Sequence, residues 1–583
     1  MTRQQQIRQI SNGANSRTPA VCARHPRQGS IGAVSVILIL FLAYCYFIPR
    51  GAMWNADTRI FLAASIVDQG QLSIDPYEQF TGDKAAHDGH YYSDKAPGSS
   101  LLAVPVYLFV KLALYQGKTN YLQLLDVSDA KRTDFLARYL MTLLLVGLPS
   151  AFLGGLLFRF LALLGLGLRG RMLLTLGYGL GTIAFAFSTV FFGHQIVALL
   201  LFAAFYLLFS IRQGKISRWH YLTAGLLAGY AIITEYPTAL IVGCLALYAF
   251  YHTRRWRSML LFGGGMLPPL SIAAVYNTLC FGGPFSQGYA NLAGPEVFRA
   301  GQAQGFFGVT FPHLDALWQT TLGPYRGLFM LSPFLLLVFP GFWLLFRQRT
   351  WRSEAVLWLS IVVVYFLFAV SYYAWDGGYS LGPRHFIPAL PFLVLPIASV
   401  LQRRGWIRKL SIPLIGLSIM IVTLATAVYP LNDPRFDAPL TERVLPLIVG
   451  IQPNAAHPAL PFATIWSGFL EAPLLTRAQL DNNWGELFGL LGIWQLLPLC
   501  LGITIILGRF WWFTRPRSAA TIALLAKNSR SLSSPAQMSD HTNHGGLKPD
   551  AETLLPAASP AERKGEDQPA QPKMIDAPAD PSS

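Results

Sequence analysis

The sequence predicts an all-α polytopic membrane protein: a helical bundle of about twelve transmembrane helices, with juxtamembrane helices in a large first outer loop. Three observations predict the helical membrane class. Of 583 residues, 53% are hydrophobic and only 13% charged, whereas a soluble chain carries roughly a quarter charged. Apolar runs of roughly 17 to 25 residues recur, long enough to cross a bilayer as helices. Short basic links join the runs, as in cytoplasmic loops. Those links also account for the net charge of +16, so no nucleic-acid partner is expected. The cysteines (Cys22, Cys45, Cys244, Cys280, Cys500) have no paired spacing and predict neither a disulfide framework nor a zinc site. No repeat with a period of about 20 to 50 residues is visible.

The first 29 residues hold five arginines and no acid. They read as a cytoplasmic tail, 1–30, ahead of a first span at roughly 31–49. No small-residue cleavage site follows that span, so it is not read as a signal peptide. The links "FRFLALLGLGLRGR" (158–171), "RQGKISR" (212–218), "RRWR" (254–257), "RQRTWR" (347–352), "RRGWIRK" (403–409) and "RFWWFTRPR" (509–517) are nearly free of acids. The positive-inside rule places all of them in the cytoplasm. Alternation then places "FFGHQ" (191–195), "TEYP" (234–237), 278–327, "WDGGYSLGPRH" (375–385) and 431–485 outside.

Parity decides the first loop. The helix at roughly 137–158 ends at a cytoplasmic link, so it begins outside, as does everything back to the end of the first span. The loop 50–136 is therefore outer, and its ten acids set it apart from the basic links. Its apolar run 99–115 carries Pro105 and Lys111, follows Pro97-Gly98, and reads as a juxtamembrane helix along the outer leaflet. This gives twelve spans with both termini cytoplasmic. The chain divides into the tail, a membrane module over 31–330 with outer loops 50–136 and 278–327, C-terminal helices over 331–512 with outer loop 431–485, and a tail over 513–583. From 530 that tail is rich in Pro, Ala, Ser and Asp and is expected to be disordered.

Ionisable residues gather in the first outer loop. Ile60, Ala63, Ala64 and Val67 form one face of a helix that Asp57 opens and Gly70 stops. Asp57 serves as an N-terminal cap, or as a carboxylate at a lipid-level cleft. Asp83, Lys84, His87, Asp88, His90, Tyr91, Tyr92, Asp94 and Lys95 follow within 13 residues. The tyrosines fit interfacial anchors, and Lys95 is placed to meet a phosphate. His87 and His90 with Asp83, Asp88 or Asp94 offer ligands for a divalent cation, without the spacing of a closed metal motif. Elsewhere, Arg384 and His385 stand at the mouth of a span on the outer side. An arginine there goes against the positive-inside bias, and its planar fork suits a phosphodiester. Glu235 lies between two apolar runs, where a carboxylate is costly and is usually paired or functional. His194 reads as an interfacial histidine.

Four features taken in order resemble one family. "NADTR" with Asp57 opens the first outer loop. "DGHYYSDKAPGSSLL" (88–102) is similar to a glycine–tyrosine–lysine–proline segment before a juxtamembrane helix. "RYLMTLLLVGLPSAFLGGLLF" (138–158) resembles the second span, and a second long outer loop follows span 7. The chain thus resembles the GT-C glycosyltransferases, within the family of protein O-mannosyltransferases and the lipid A aminoarabinose transferase. "YNTLCFGGPFSQGY" (276–289) and "WDGGYSLGPRHFIPALPF" (375–392) are similar to segments of bacterial members. It departs from the family where Asn55 and Arg59 flank Asp57, where His194 replaces an acid, and where Ala96-Pro97 replaces a double proline.

The resemblance implies transfer of a sugar from a polyprenyl-phosphate donor to a lipid, polysaccharide or protein acceptor, at the outer face of a bacterial inner membrane. Asp57 would be the base. Lys95, Arg384 and His385 would bind the donor phosphate, and Arg59, His90, Tyr92, Asp94 and Glu235 would orient substrates. No cofactor is required, and a divalent metal at His87 and Asp88 stays open. A transporter or lipid-linked sugar flippase is the competing class. It would place charge at the bilayer midplane, often within inverted repeats, whereas here charge concentrates in one outer loop. A structural scaffold would leave so dense a loop unexplained.

Overall fold

In a computed structural model, residues 26–48, 53–125, 134–449, 480 and 483–515 are described. The tail before residue 26, most of the loop 431–485 and the tail beyond 515 lie outside the described residues. The described part is helical apart from one small sheet. Its helices include α1 (Pro26–Tyr46), α2 (Trp54–Gln69), α3 (Gly98–Tyr115), α4 (Phe135–Leu163), α5 (Leu168–Leu180), α6 (Gly193–Arg212), α7 (His220–Thr234), α8 (Ala239–Thr253), α9 (Trp256–Phe281), α10 (Glu296–Gln302), α11 (Arg352–Ser371), α12 (Trp406–Val428) and α13 (Leu497–Thr514). Among the described residues nine helices are long and apolar enough to cross a membrane, α3 included. That count fits a multi-pass membrane protein. The helices α5, α7 and α8 are shorter.

The packing is of the kind expected where water does not drive helices together. In α7, Gly225 and Gly229 lie four residues apart and face Phe262, Gly265 and Met266 of α9. A Cβ at Gly225 or Gly265 would run into the other helix's backbone. Small residues at this spacing let two backbones touch, which supplies dispersion contact in lipid as it does in water. A π-turn at Leu143–Gly147 interrupts α4 just before Pro149. A proline has no N–H to donate, so the ladder must slip there.

The first outer loop differs from the expected all-helical form. Lys84–His87 (β1) and His90–Ser93 (β2) pair antiparallel, with His87 opposite His90. Between them Asp88 and Gly89 both have positive φ, 49° and 81°. Asp-Gly in that conformation makes the two-residue turn whose twist matches a hairpin. Short runs around a turn of this kind carry no helical period, so a reading for helices passes over them.

The α2 helix ends where expected but opens at Trp54, ahead of Asp57. Gly70 caps it in the left-handed region at φ 67°, with its N–H on the Ile66 carbonyl. The helix α3 packs against α2, and its lysine is neutralised there: Lys111 Nζ donates to Asp68 Oδ1 at 2.7 Å. Asp68 Oδ2 also accepts from the Tyr107 hydroxyl at 3.0 Å and the Tyr121 N–H at 2.8 Å. Replacing Asp68 by Ala strands three donors, one of them charged. We expect a loss of about 3 to 5 kcal/mol, read as a lower midpoint of heat unfolding in detergent micelles. Lys111→Met should cost less, because the two other donors keep their acceptor.

Candidate functional site

Four segments distant in sequence meet at one polar cluster: the head of α2, the exit of the hairpin, the break between α7 and α8 beside the head of α6, and the turn 372–385. Its centre is Arg59, only 1% exposed. A guanidinium at that depth needs every arm engaged. Nη2 donates to Glu235 Oε1 at 2.7 Å, Nη1 to Ser99 Oγ at 2.7 Å, and Nε to Asn55 Oδ1 at 3.3 Å. Glu235 is positioned by a helix break. Its backbone is extended (φ −147°, ψ 104°), and Pro237 lies in the short 3₁₀ turn that leads into α8. Gly193 opens α6 directly against the Glu235 carboxylate, where any Cβ would collide. The next residue, His194, brings Nδ1 to 3.9 Å from Glu235 Oε1 and sets its ring edge-on to His385 at 5.9 Å.

The turn 372–385 is held from outside itself. Arg326, buried at the end of the segment 278–327, donates through Nη2 to the Gly378 carbonyl at 2.7 Å and through Nη1 to the Ser380 carbonyl at 2.6 Å. This fixes the turn that carries Arg384 and His385. Arg384 is half-buried and lies over the Phe192 ring at 5.3 Å. Among the described residues it makes no ion pair, and its Nε is buried without a hydrogen-bond partner. His385 Nε2 donates to the Ala374 carbonyl at 3.2 Å, and its ring stands edge-on to Tyr372 at 5.4 Å.

On the hairpin side, Lys95 Nζ sits 2.6 Å from Asp94 Oδ2 and 3.0 Å from Asp83 Oδ2. The Tyr289 ring lies 5.5 Å from the same ammonium. Burial works against the Lys95 charge, but Asp83 and Asp94 overcome it and hold its pKa above the usual lysine value. Burial pushes the Asp94 carboxyl above the usual range; Lys95 opposes this and Asp83 adds to it. Asp94 Oδ1 is buried and accepts no hydrogen bond.

A cleft of about 420 Å³ opens beside the cluster, lined by Tyr289, Arg299, Gln302, Phe306 and Phe307 among others. Two of its residues reach the cluster: Tyr289 beneath Lys95, and Gln302, whose Oε1 accepts from the Tyr372 hydroxyl at 3.1 Å.

The expected site residues therefore divide. Arg59, Asp94, Lys95, Glu235, Arg384 and His385 come together, joined by His194. Asp57 is completely buried in a neighbouring knot. One of its oxygens takes Arg138 Nη1 and the other the N–H of Met53, the residue ahead of α2, at 2.9 Å; α2 opens at Trp54, so Asp57 lies within its first turn and is not its N-terminal cap. Arg138 Nη2 also binds Asp134 Oδ2 at 2.8 Å, which accepts from the Tyr121 hydroxyl at 2.8 Å. His90 is exposed and bound to Asp75 at 2.8 Å, and Tyr92 packs on Phe281 at 5.4 Å. His87 and Asp88 lie at the hairpin tip. Among the described residues no group of three His, Cys, Asp or Glu side chains gathers as metal ligands.

Arg138, Arg326 and Tyr289 were not singled out by the sequence, and Asp83 was noted there only as a possible cation ligand. The two arginines carry the signal that drew attention to Arg384, a cation on the outer side against the positive-inside bias. Compared with family models, curated proteins and solved structures, the chain matches none.

Two measurements follow from this geometry. Arg59→Leu and Glu235→Leu should each lower the unfolding midpoint, by about 3 to 5 kcal/mol of stability. The double variant should recover most of that loss, because no buried charge is then left alone; strict additivity would refute the pairing. Asp57→Asn should also lower the midpoint, since Arg138 then keeps only one of its two carboxylates, Asp134. An unchanged midpoint would assign Asp57 to chemistry rather than framework.

Proposed function

We propose that the chain is an integral membrane glycosyltransferase. It moves a sugar from a polyprenyl-phosphate donor to a cell-envelope acceptor at the outer face of a bacterial inner membrane. The observation that carries this is the convergence of Arg59, Lys95 and Arg384 beside a cleft, with Arg384 making no ion pair among the described residues. A half-buried guanidinium in that condition is ready for a bidentate anion such as a phosphodiester. His194 stands on the same side, and His385 lies beside it with its Nε2 N–H on the Ala374 carbonyl.

Twelve spans fit this proposal. Helices cover each expected apolar run, the broken helix Pro333–Phe346 included. The run 99–115 stays on the outer side in this scheme, its Lys111 neutralised within the same loop by Asp68. Both termini are then cytoplasmic.

The phosphate of such a donor is already a good leaving group. The site must then stabilise the charge left on it and accept a proton from the attacking hydroxyl or amine. Attack opposite the phosphate inverts the anomeric centre. Asp57 is one proton acceptor within the first outer loop, and it is reachable only if Arg138 moves aside.

A lipid-linked sugar flippase is the second reading, favoured by the helix break at Glu235, since transporters build sites on broken helices. Purified protein incubated with a labelled polyprenyl-phosphate sugar and cell-envelope lipids separates the two. Label on a new acceptor supports transfer; label crossing a vesicle on its original lipid supports the flippase. Arg384→Ala should reduce transfer by about 100-fold or more, in line with loss of one donor to a developing oxyanion. Arg384→Lys should recover part of it, since a lysine supplies the charge but not the fork.

A further inference from the structure

We propose that Asp94 accepts the proton of the attacking acceptor group. The assignment rests on the transferase reading above and names the residue within that site which does this step.

The geometry gives the two oxygens of Asp94 different tasks. Oδ2 is bound by Lys95 Nζ at 2.6 Å, while Oδ1 is buried without a donor. A buried carboxylate oxygen left unsatisfied is costly, and such an atom needs an explanation. An incoming O–H or N–H supplies the missing donor. Asp57 offers no equivalent, because Arg138 and the Met53 N–H hold its two oxygens. Glu235 is committed to Arg59. The backbone around Asp94 is fixed closely: a Cβ on Gly288 would lie 2.7 Å from the Asp94 Cα, so the turn bearing Tyr289 rests directly on it. Tyr289 in turn lines the cleft. Tyr289 stands between the cleft and Lys95, and an acceptor in the cleft reaches Asp94 Oδ1 when that ring swings aside.

The step balances as follows. The acceptor oxygen or nitrogen forms a bond to the anomeric carbon. The bond from that carbon to the phosphate oxygen breaks, and its electron pair leaves on the polyprenyl phosphate. The acceptor proton passes to Asp94 Oδ1. Lys95 is then held by the Asp83 carboxylate alone, and its charge becomes available to the departing phosphate. The charged and titratable groups facing Asp94 are Lys95, Asp83, Arg59, Tyr276, Tyr289 and Tyr373.

The acid limb of the rate profile tests this. A base works only when ionised, so kcat/KM must fall as pH drops through the Asp94 value, which lies above the ordinary aspartate value of about 4. Asp83 contributes to raising it. Asp83→Asn should therefore move the acid limb to lower pH. Full-length protein in micelles would be assayed with a labelled polyprenyl-phosphate sugar and cell-envelope lipids. Asp94→Asn should lower kcat by about 100- to 10,000-fold, the usual worth of a general base, with the KM for donor little changed. Its residual rate should lose the acid limb. Asp94→Glu should restore part of the rate, and this guards against a variant that merely misfolds. If the wild type transfers no sugar, the transferase reading falls and this assignment with it. If the wild type transfers sugar and Asp94→Asn matches it within threefold, or keeps the same acid limb, this assignment alone is overturned.

Discussion

One buried ion pair, Arg59 with Glu235, joins the first outer loop to the helices behind it. Each partner is far too costly to bury alone, so neither the head of α2 nor the break between α7 and α8 can settle without the other. The rest of the cluster hangs on this pair. Ser99 at the start of α3 bonds to the same guanidinium, and His194 at the head of α6 approaches the same carboxylate. Gly193 is there because the carboxylate leaves no room for a side chain.

A second buried chain runs alongside and has a different character. From Lys111 through Asp68 and Tyr121 to Asp134, Arg138 and Asp57, hydrogen bonds cross from α3 to α2 to α4. Its carboxylates each hold two or more donors. A network so fully satisfied rigidifies what it joins. It frames the first loop, while Arg384 Nε and Asp94 Oδ1, two of the buried polar atoms without a hydrogen-bond partner, lie in the other cluster.

Much of this was legible before the structure. Apolar period and the basic links gave the helices, and Gly70 marked the end of α2 where it lies. Lys95, Arg384, His385 and Glu235 stood out because charge near a membrane needs a reason, and they do converge. The hairpin was missed because four-residue strands carry too little period, although Asp88-Gly89 was a turn signal. Asp57 drew notice as a helix-opening acid. Sequence did not disclose its partner Arg138, 81 residues further on, since pairing at that range depends on how α4 packs. The task of Arg326 was hidden for another reason: its partners are main-chain carbonyls, which every residue has.

That choice of partners separates two kinds of behaviour within one site. The turn bearing Arg384 and His385 is anchored through the carbonyls of Gly378 and Ser380, which neither titrate nor attract counter-ions. The hairpin half is anchored through carboxylates shared by one lysine. Acidification therefore leaves this main-chain anchor unchanged, whereas protonation of Asp94 removes one of the two carboxylates that hold Lys95. The site is asymmetric, with one half tied down by neutral carbonyls and the other by charges.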